Sequence, residues 1–481
     1  MIAITRRLAF QLRSMLRRAF GSFRGPGPVL GFIADAEGLH VRGRSADIAV
    51  EYRVPGEHPA ETLWLPFQFL ADCEAKKDEP VELTAAEKGR VNAQWRDGSV
   101  PQIVSYDAES PADAAKFPVP PETLAENPPG LLEAVTAATD TCDPASVRFA
   151  LGHLQFRGEH GTIVATDGRQ LLLQSGFQFP WTGDLLVPRS KVFASAELPH
   201  DLPVQVGKTG NWVAIAVGRW TIYLAVNVDG RFPDVSRHIP RTDSAKARCS
   251  FSQADADFLA ETLPRLPSDD DCNRPVTLDL NGHVAVRAKS SKSTPPTEVV
   301  LTGSSFAGEP IRVNTNRDYL ARAMRLGLRE LSIADDKTAI LGFDTNRHYV
   351  WMPLDPESAI PPAKDAIRIE SPNARTEVPI NPIPTKRRLP PMKEPTTNTN
   401  GHVLGNGHAK VNGQARQTGT SKASQPEIAA LIEQAQKLRT ALHDLMYEAS
   451  NLVKALKAHR RQTRAVQSTL ASLRQLKGLG V

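Results

Sequence analysis

The sequence predicts an α+β chain built from three tandem domains, each with two helices against an antiparallel sheet. A disordered linker and a C-terminal coiled-coil helix follow. Three observations carry this reading. A basic-Phe-Pro or Met-Pro marker recurs at Lys116-Phe117-Pro118, Arg231-Phe232-Pro233 and Trp351-Met352-Pro353, with spacings of 115 and 120 residues. Beyond Asp355 the composition turns to Pro, Thr, Asn and Gly with few aromatics, which suits an unfolded linker. From Ile428 to Leu473, fourteen positions recur at alternating steps of three and four, and twelve of them are apolar.

The expected boundaries are 1–115, 116–241 and 242–355 for the three domains, 356–424 for the linker and 425–478 for the coiled coil. At 481 residues the chain exceeds what one core supports. In the first domain Leu8, Leu12, Met15, Leu16 and Ala19 share one face of a helix over Thr5–Phe20, with Arg6, Arg13 and Arg17 opposite. Strands follow at Gly38–Val41 and Ile48–Tyr52, and a second helix after Leu65-Pro66.

In the second domain the helix is Gly130–Thr141, the strands are Gly161–Gln174 and Trp212–Val226, and a second helix follows Val187-Pro188. In the third, Ser252 suits an N-cap before Ala254–Leu263. Asn281-Gly282 marks a hairpin, and the second helix is Arg317–Leu326. The coiled-coil helix would be on the order of 70 Å long. His459 and Thr463 interrupt its seam. It reads as a self-associating coiled coil or as a helical hairpin packed on the body.

Charge is unevenly spread. Residues 371–481 hold 17 Lys and Arg against 6 Asp and Glu, whereas the rest holds 41 against 47. A basic tail on an acidic body points to nucleic acid or an acidic partner, or simply to a solvated helix. Cys73, Cys142, Cys249 and Cys272 are scattered without C-x-x-C spacing. That argues against a zinc site or a disulfide framework and suits a reducing cytoplasm. The N-terminus lacks an acidic residue before Asp35, but its arginines break any signal-peptide core. A transit peptide is the minor alternative. No apolar run approaches a membrane span. The phosphate-loop, nucleophile-elbow and zinc-protease motifs are missing, so an enzyme is not expected and no cofactor is implied.

Three segments resemble the bacterial DNA polymerase III beta subunits, the DNA sliding clamps. Val228-Asp229-Gly230-Arg231-Phe232-Pro233-Asp234, closed by Pro240, is similar to the end of that family's second domain. Ala165-Thr166-Asp167-Gly168-Arg169-Gln170-Leu171 resembles its A-T-D-G-H-R-L strand and turn. Tyr349-Val350-Trp351-Met352-Pro353-Leu354 resembles its last strand, Y-V-V-M-P-M. The resemblance spans roughly residues 1–355 and is weak in the first domain, where only the helix, Pro28–Leu30 and Gly38–Val41 carry it.

The resemblance implies a head-to-tail homodimeric ring around double-stranded DNA, bound without regard to sequence. Pore-facing helices would touch phosphates through Arg6, Arg13, Arg17, Lys76, Lys77, Arg189, Lys191, Arg317, Arg322 and Arg325. It also implies a pocket between the second and third domains for peptides of polymerases and clamp loaders. Its matching positions are Thr166, Gly168, Arg169, Gln170 and Leu171, then Pro240, then Asn316 and Tyr319, then Val350, Trp351, Met352, Pro353 and Leu354.

The sequence departs from the family at Arg169-Gln170, where His-Arg is usual, and at Trp351, where a Val is usual and an indole would partly fill the groove. Asp355 stands where a basic residue is usual, and 126 residues continue past it. That tail is expected beside the pocket, recruiting a partner or competing for the site. The alternative reading is a clamp paralogue that kept the fold and acts as a coiled-coil scaffold without processive clamping; the coiled coil's partner is not identified.

Overall fold

The structure is a computed structural model that describes residues 1–21, 27–107, 117–143, 150–269 and 273–372. Lys116, Cys272, the linker from residue 373 and the whole coiled-coil segment lie outside these residues.

One order of elements occurs three times, with an added strand, Ser305–Gly308, in the third and a single helical turn for the second helix in the second. The first repeat runs β1 (Ile2–Thr5), α1 (Arg6–Phe20), β2 (Val29–Asp35), β3 (Gly38–Arg44), β4 (Ile48–Pro55), β5 (Glu61–Pro66), α2 (Gln68–Cys73), β6 (Pro80–Ala85), β7 (Arg90–Asp97) and β8 (Val100–Asp107). The second runs β9 (Leu124–Asn127), α3 (Gly130–Thr141), β10 (His153–Arg157), β11 (Thr162–Thr166), β12 (Gln170–Gln174), β13 (Asp184–Pro188), β14 (Val204–Thr209), β15 (Trp212–Val217) and β16 (Trp220–Ala225). The third runs β17 (Ala247–Ser250), α4 (Gln253–Thr262), β18 (Pro275–Asn281), β19 (His283–Ser290), β20 (Ser293–Leu301), β21 (Ser305–Gly308), β22 (Ile311–Asn316), α5 (Arg317–Arg325), β23 (Glu330–Ile333), β24 (Ile340–Phe343) and β25 (Arg347–Trp351). A last strand, β26 (Ile367–Glu370), follows.

The helices form where the pattern requires them. Thr5 caps α1 through the Leu8 N–H at 3.0 Å. Leu8, Leu12, Met15, Leu16 and Ala19 are buried on one face. Ser252 caps α4 through the Asp255 N–H at 3.1 Å. The Asn281-Gly282 hairpin joins β18 to β19, with Gly282 in the left-handed region at φ 76°. Three differences from expectation are local. The second helix of the second repeat is a single turn, Lys191–Ala194, held by the Ser190 hydroxyl. The expected strand Gly161–Gln174 is a hairpin, because Asp167-Gly168 turns the chain between β11 and β12. The expected strand Trp212–Val226 is likewise a hairpin, turned at Gly218 between β15 and β16.

Each repeat contributes two half-sheets, and neighbouring repeats fuse theirs. The order β5-β2-β3-β4 continues into β16-β15-β14-β9, and β13-β10-β11-β12 continues into β25-β24-β23-β17-β21. Both seams join the fourth strand of one repeat to the last strand of the next, antiparallel, with Ile48–Tyr52 against Trp220–Leu224 and Gln170–Gln174 against Arg347–Trp351. Two half-sheets stay outside this scheme: β1-β6-β7-β8 and β22-β18-β19-β20. The second of these ends on β26, which pairs with β20 in parallel. Residues 356–372, expected to be linker, instead pack on the third repeat.

Candidate functional site

The β12–β25 seam floors a cavity of about 600 Å³. Thr166 and Gly168–Leu171 line it from the β11–β12 hairpin and β12, and Val350–Met352 from β25 and just beyond it. The hairpin that shapes this floor is fixed by its own polar groups. The Asp167 carboxylate accepts the Arg169 and Gln170 N–H groups at 2.8 and 2.9 Å and the Gln170 amide at 2.9 Å. Thr166 Oγ1 accepts the Gly168 N–H at 3.0 Å. Gly168 sits at φ 85°, a conformation costly for any side chain. Beyond the strand end, the Met352 N–H donates to the Arg169 carbonyl at 3.3 Å, which prolongs the seam.

One wall is the segment from Pro233 to Pro240, with its single helical turn Ser236–His238. The other is the β23–β24 loop, including Ala334 and Lys337–Ala339. Asp335 braces that loop by accepting the Lys337 and Thr338 N–H groups at 2.8 and 2.6 Å, which holds its carboxyl below the usual carboxylate range. Beneath the cavity Leu171, Val235 and Val350 pack with Val164 and Leu341. The rim carries exposed Arg169, Arg237, His238 and Lys337. The site is thus an apolar trough with a cationic edge.

Nine of the expected pocket residues line this cavity: Thr166, Gly168, Arg169, Gln170, Leu171, Pro240, Val350, Trp351 and Met352. Four do not. Asn316 instead caps α5, accepting the Asp318 N–H at 2.7 Å. Tyr319 lines a neighbouring cavity beside α3 with Arg322 and Arg325. Pro353 and Leu354 lie past the trough, and the Leu354 N–H donates to the Asn314 carbonyl at 2.7 Å. Trp351 does not fill the groove as expected. Its side chain is 1% exposed, its ring lies 5.1 Å from Tyr349, and its Nε1 donates to Thr315 Oγ1 at 2.8 Å. Sequence reasoning passed over Val235, Ile239, Arg237 and Lys337. The first three lie between the quoted Phe-Pro-Asp run and its closing Pro240, so a signal flanks them, whereas the loop at 334–339 carries none.

The cations expected to face phosphates fall into two groups. Arg6 is buried, and its guanidinium donates to the Cys73 and Arg96 carbonyls at 2.9 and 2.8 Å and to Glu79 at 2.8 Å. Arg317 is fully buried among the carbonyls of Arg274, Leu263, Leu266 and Pro267. Burial lowers its pKa to about 10, which leaves it charged at neutral pH. Both staple their own repeats and cannot present a charge to a duplex. Arg13 is tied to Glu74, and Arg322 reaches α3, donating to Ala137, Asp140 and Thr141. Arg17, Lys76, Lys77, Lys191 and Arg325 are exposed, Arg189 is partly so, and Arg7 and Arg18 join them although the sequence reading left them out. Arg18 lies 3.5 Å from the Ala194 carbonyl, so α1 abuts the one-turn helix of the second repeat.

No protein-family model and no curated protein matches the chain. Solved structures do. The sliding clamp of Pseudomonas aeruginosa, solved bound to griselimycin, is similar over 74% of this chain and 99% of its own, with a TM-score of 0.59 at 19% identity. The DNA polymerase III beta chain of Streptococcus pneumoniae gives 0.61 at 17% identity over 73% of this chain and 99% of its own. The Bacillus subtilis sliding clamp gives 0.60 at 16% over 73% and 98%. This is the fold of the bacterial DNA polymerase III beta sliding clamps. The matched share spans essentially the whole length of those clamps. About a quarter of this chain has no counterpart in them.

Proposed function

We propose that the protein is a clamp-like tether: it encloses duplex DNA and holds peptide-bearing partners, polymerases or repair factors, in the trough at the β12–β25 seam. The observation that carries this reading is the repeated seam. β4 meets β16 and β12 meets β25 by one rule, and a third application needs β20 to meet β8 of a second copy, which closes a head-to-tail ring of two. The exposed cations lie on or beside the helical elements: Arg17 on α1, Lys76 and Lys77 after α2, Lys191 on the one-turn helix and Arg325 on α5. Such groups attract phosphates without reading bases.

The trough supports the partner half of the proposal. Its apolar floor suits aliphatic or aromatic side chains at one end of an extended peptide. Its edge of Arg169, Arg237 and Lys337 suits acidic residues flanking them. The test is retention: the full chain, as it stands or with Ile369→Pro and Ser371→Ala to free the β20 edge, should stay on closed circular DNA and run off once that DNA is cut. Equal retention on both forms, or none on either, in both proteins removes the reading.

A second reading, a clamp-derived scaffold without a ring, is favoured by one observation. β26 lies on the β20 edge that ring closure would use.

A further inference from the structure

We infer that β26 is an internal gate on ring closure: the chain's own strand covers the edge of β20 that would pair with β8 of a second copy. The inference rests on the ring reading above.

Three features point to a removable cover. First, β26 pairs in the wrong sense for the fold. Both seams between repeats are antiparallel, whereas Thr297–Val300 of β20 meets Ile367–Glu370 in parallel, a slightly weaker pairing per residue. Second, the cover is slight. It spans four residues, all exposed. Third, it lies on the one usable stretch of the edge. Pro295 and Pro296 bring no N–H to β20, so Thr297–Leu301 is the part that follows them with donors, and β26 sits against its first four residues.

The segment leading there is anchored step by step. The Asn314 amide donates to the Asp355 carbonyl at 3.1 Å, and the Ile360 N–H donates to Thr277 Oγ1 at 2.8 Å. Ser371 closes the strand. Its N–H donates to the Val300 carbonyl at 2.9 Å, and its Oγ accepts the Thr302 N–H at 2.9 Å.

Among the described residues no strand pairs with the counterpart edge. β8 ends its sheet, and its Val100 and Ile103 are 54% and 67% exposed. An exposed edge strand with apolar side chains is a template for another strand. By the seam rule the strand it fits is β20 of a second copy, once β26 has lifted.

The test is hydrogen exchange on the full chain, wild type against Ile369→Pro/Ser371→Ala. The Ser371 N–H points at β20, so at a two-residue period the Ile369 N–H points the same way. The double substitution thus removes that donor and the serine anchor. Exchange is followed at Gln102–Asp107 of β8 as protein concentration rises. In the variant those amides should slow at least ten-fold from low to high concentration, and in the wild type they should not. Equal β8 exchange in the two proteins, whether slow or fast, overturns the gate. Association through the C-terminal heptads alone leaves β8 unprotected and counts with that outcome. Retention on circular DNA separates the two proposals. A variant with concentration-protected β8 that leaves circular and linear DNA alike keeps the gate and loses the clamp reading. A wild type with β8 already protected and retained on circles keeps the clamp reading and loses the gate.

Discussion

Arg322 on α5 donates to the Ala137 carbonyl on α3 at 2.7 Å, across two repeats. The same guanidinium reaches the Asp140 carbonyl and Thr141 Oγ1, each at 2.8 Å, and lies 5.8 Å from the Tyr349 ring centre. A residue that the family resemblance assigns to phosphate is thus a brace between helices. Arg322→Ala should destabilise the protein by about 2 kcal/mol, the scale of a lost charge-assisted hydrogen-bond set at a part-buried site. Chemical denaturation reads this. Thr141→Val, which removes one acceptor, should cost less.

The division among the cations is open to direct comparison. Arg317→Leu takes the guanidinium donors from the Leu266 and Pro267 carbonyls in a dry site, while the Leu263 and Arg274 carbonyls keep backbone donors, and should cost about 3–5 kcal/mol of stability. Arg17→Glu with Lys191→Glu should leave the denaturation midpoint nearly unchanged, because both groups are exposed. That pair should instead weaken binding to duplex DNA and flatten its salt dependence by about one unit of slope per lost contact. Filter binding over a salt series measures both quantities.

At the trough, Met352 is half-exposed and Arg169 is on the rim. Met352→Glu should reduce affinity for a short peptide with an apolar end and an acidic flank by at least about ten-fold, equivalent to about 1.4 kcal/mol. Thermal stability should stay unchanged. Arg169→Glu should also weaken binding, and its penalty should shrink as salt rises. Fluorescence anisotropy with a labelled peptide distinguishes the apolar from the ionic effect.

His153 gives a pH signature. Asn227 Oδ1 accepts the Gly230 N–H at 2.8 Å, which leaves the Asn227 amide nitrogen to donate to His153 Nε2 at 3.2 Å. Burial and this donor favour the neutral ring, and burial lowers the His153 pKa. A lowered folded pKa makes the contribution full above the unfolded value near 6.5 and progressively lost as pH falls through the folded value. Stability should therefore drop below about pH 6.5 with a slope of up to about 1.4 kcal/mol per pH unit from this one proton. His153→Gln should remove that part of the slope in denaturation measured across pH.

Helix positions were legible because their signals are local. The α1 stripe and the Ser252 cap stand in the sequence, and the helices form there. The trough's strands were legible through quoted motifs. What the sequence hid is long-range. Arg6 and Arg13 read as one polar face, yet one is buried against carbonyls from β7 and α2 and the other is half-exposed against Glu74. No helical period reports what another strand places opposite. Trp351 reads as a groove filler until Thr315, 36 residues earlier, offers its hydroxyl. β26 was hidden by composition, since four residues in a Pro-rich tail carry too little pattern to outweigh their surroundings.

The trough's floor joins residues 166–171 to residues 350–352, which lie about 180 positions apart. A nascent polypeptide has no such floor until its third repeat has been synthesised and docked onto the second. On the proposed function, partner capture would thereby be withheld from truncated translation products and from proteolytic fragments that break between the two strands. The groove doubles as a certificate that synthesis and folding have run to completion.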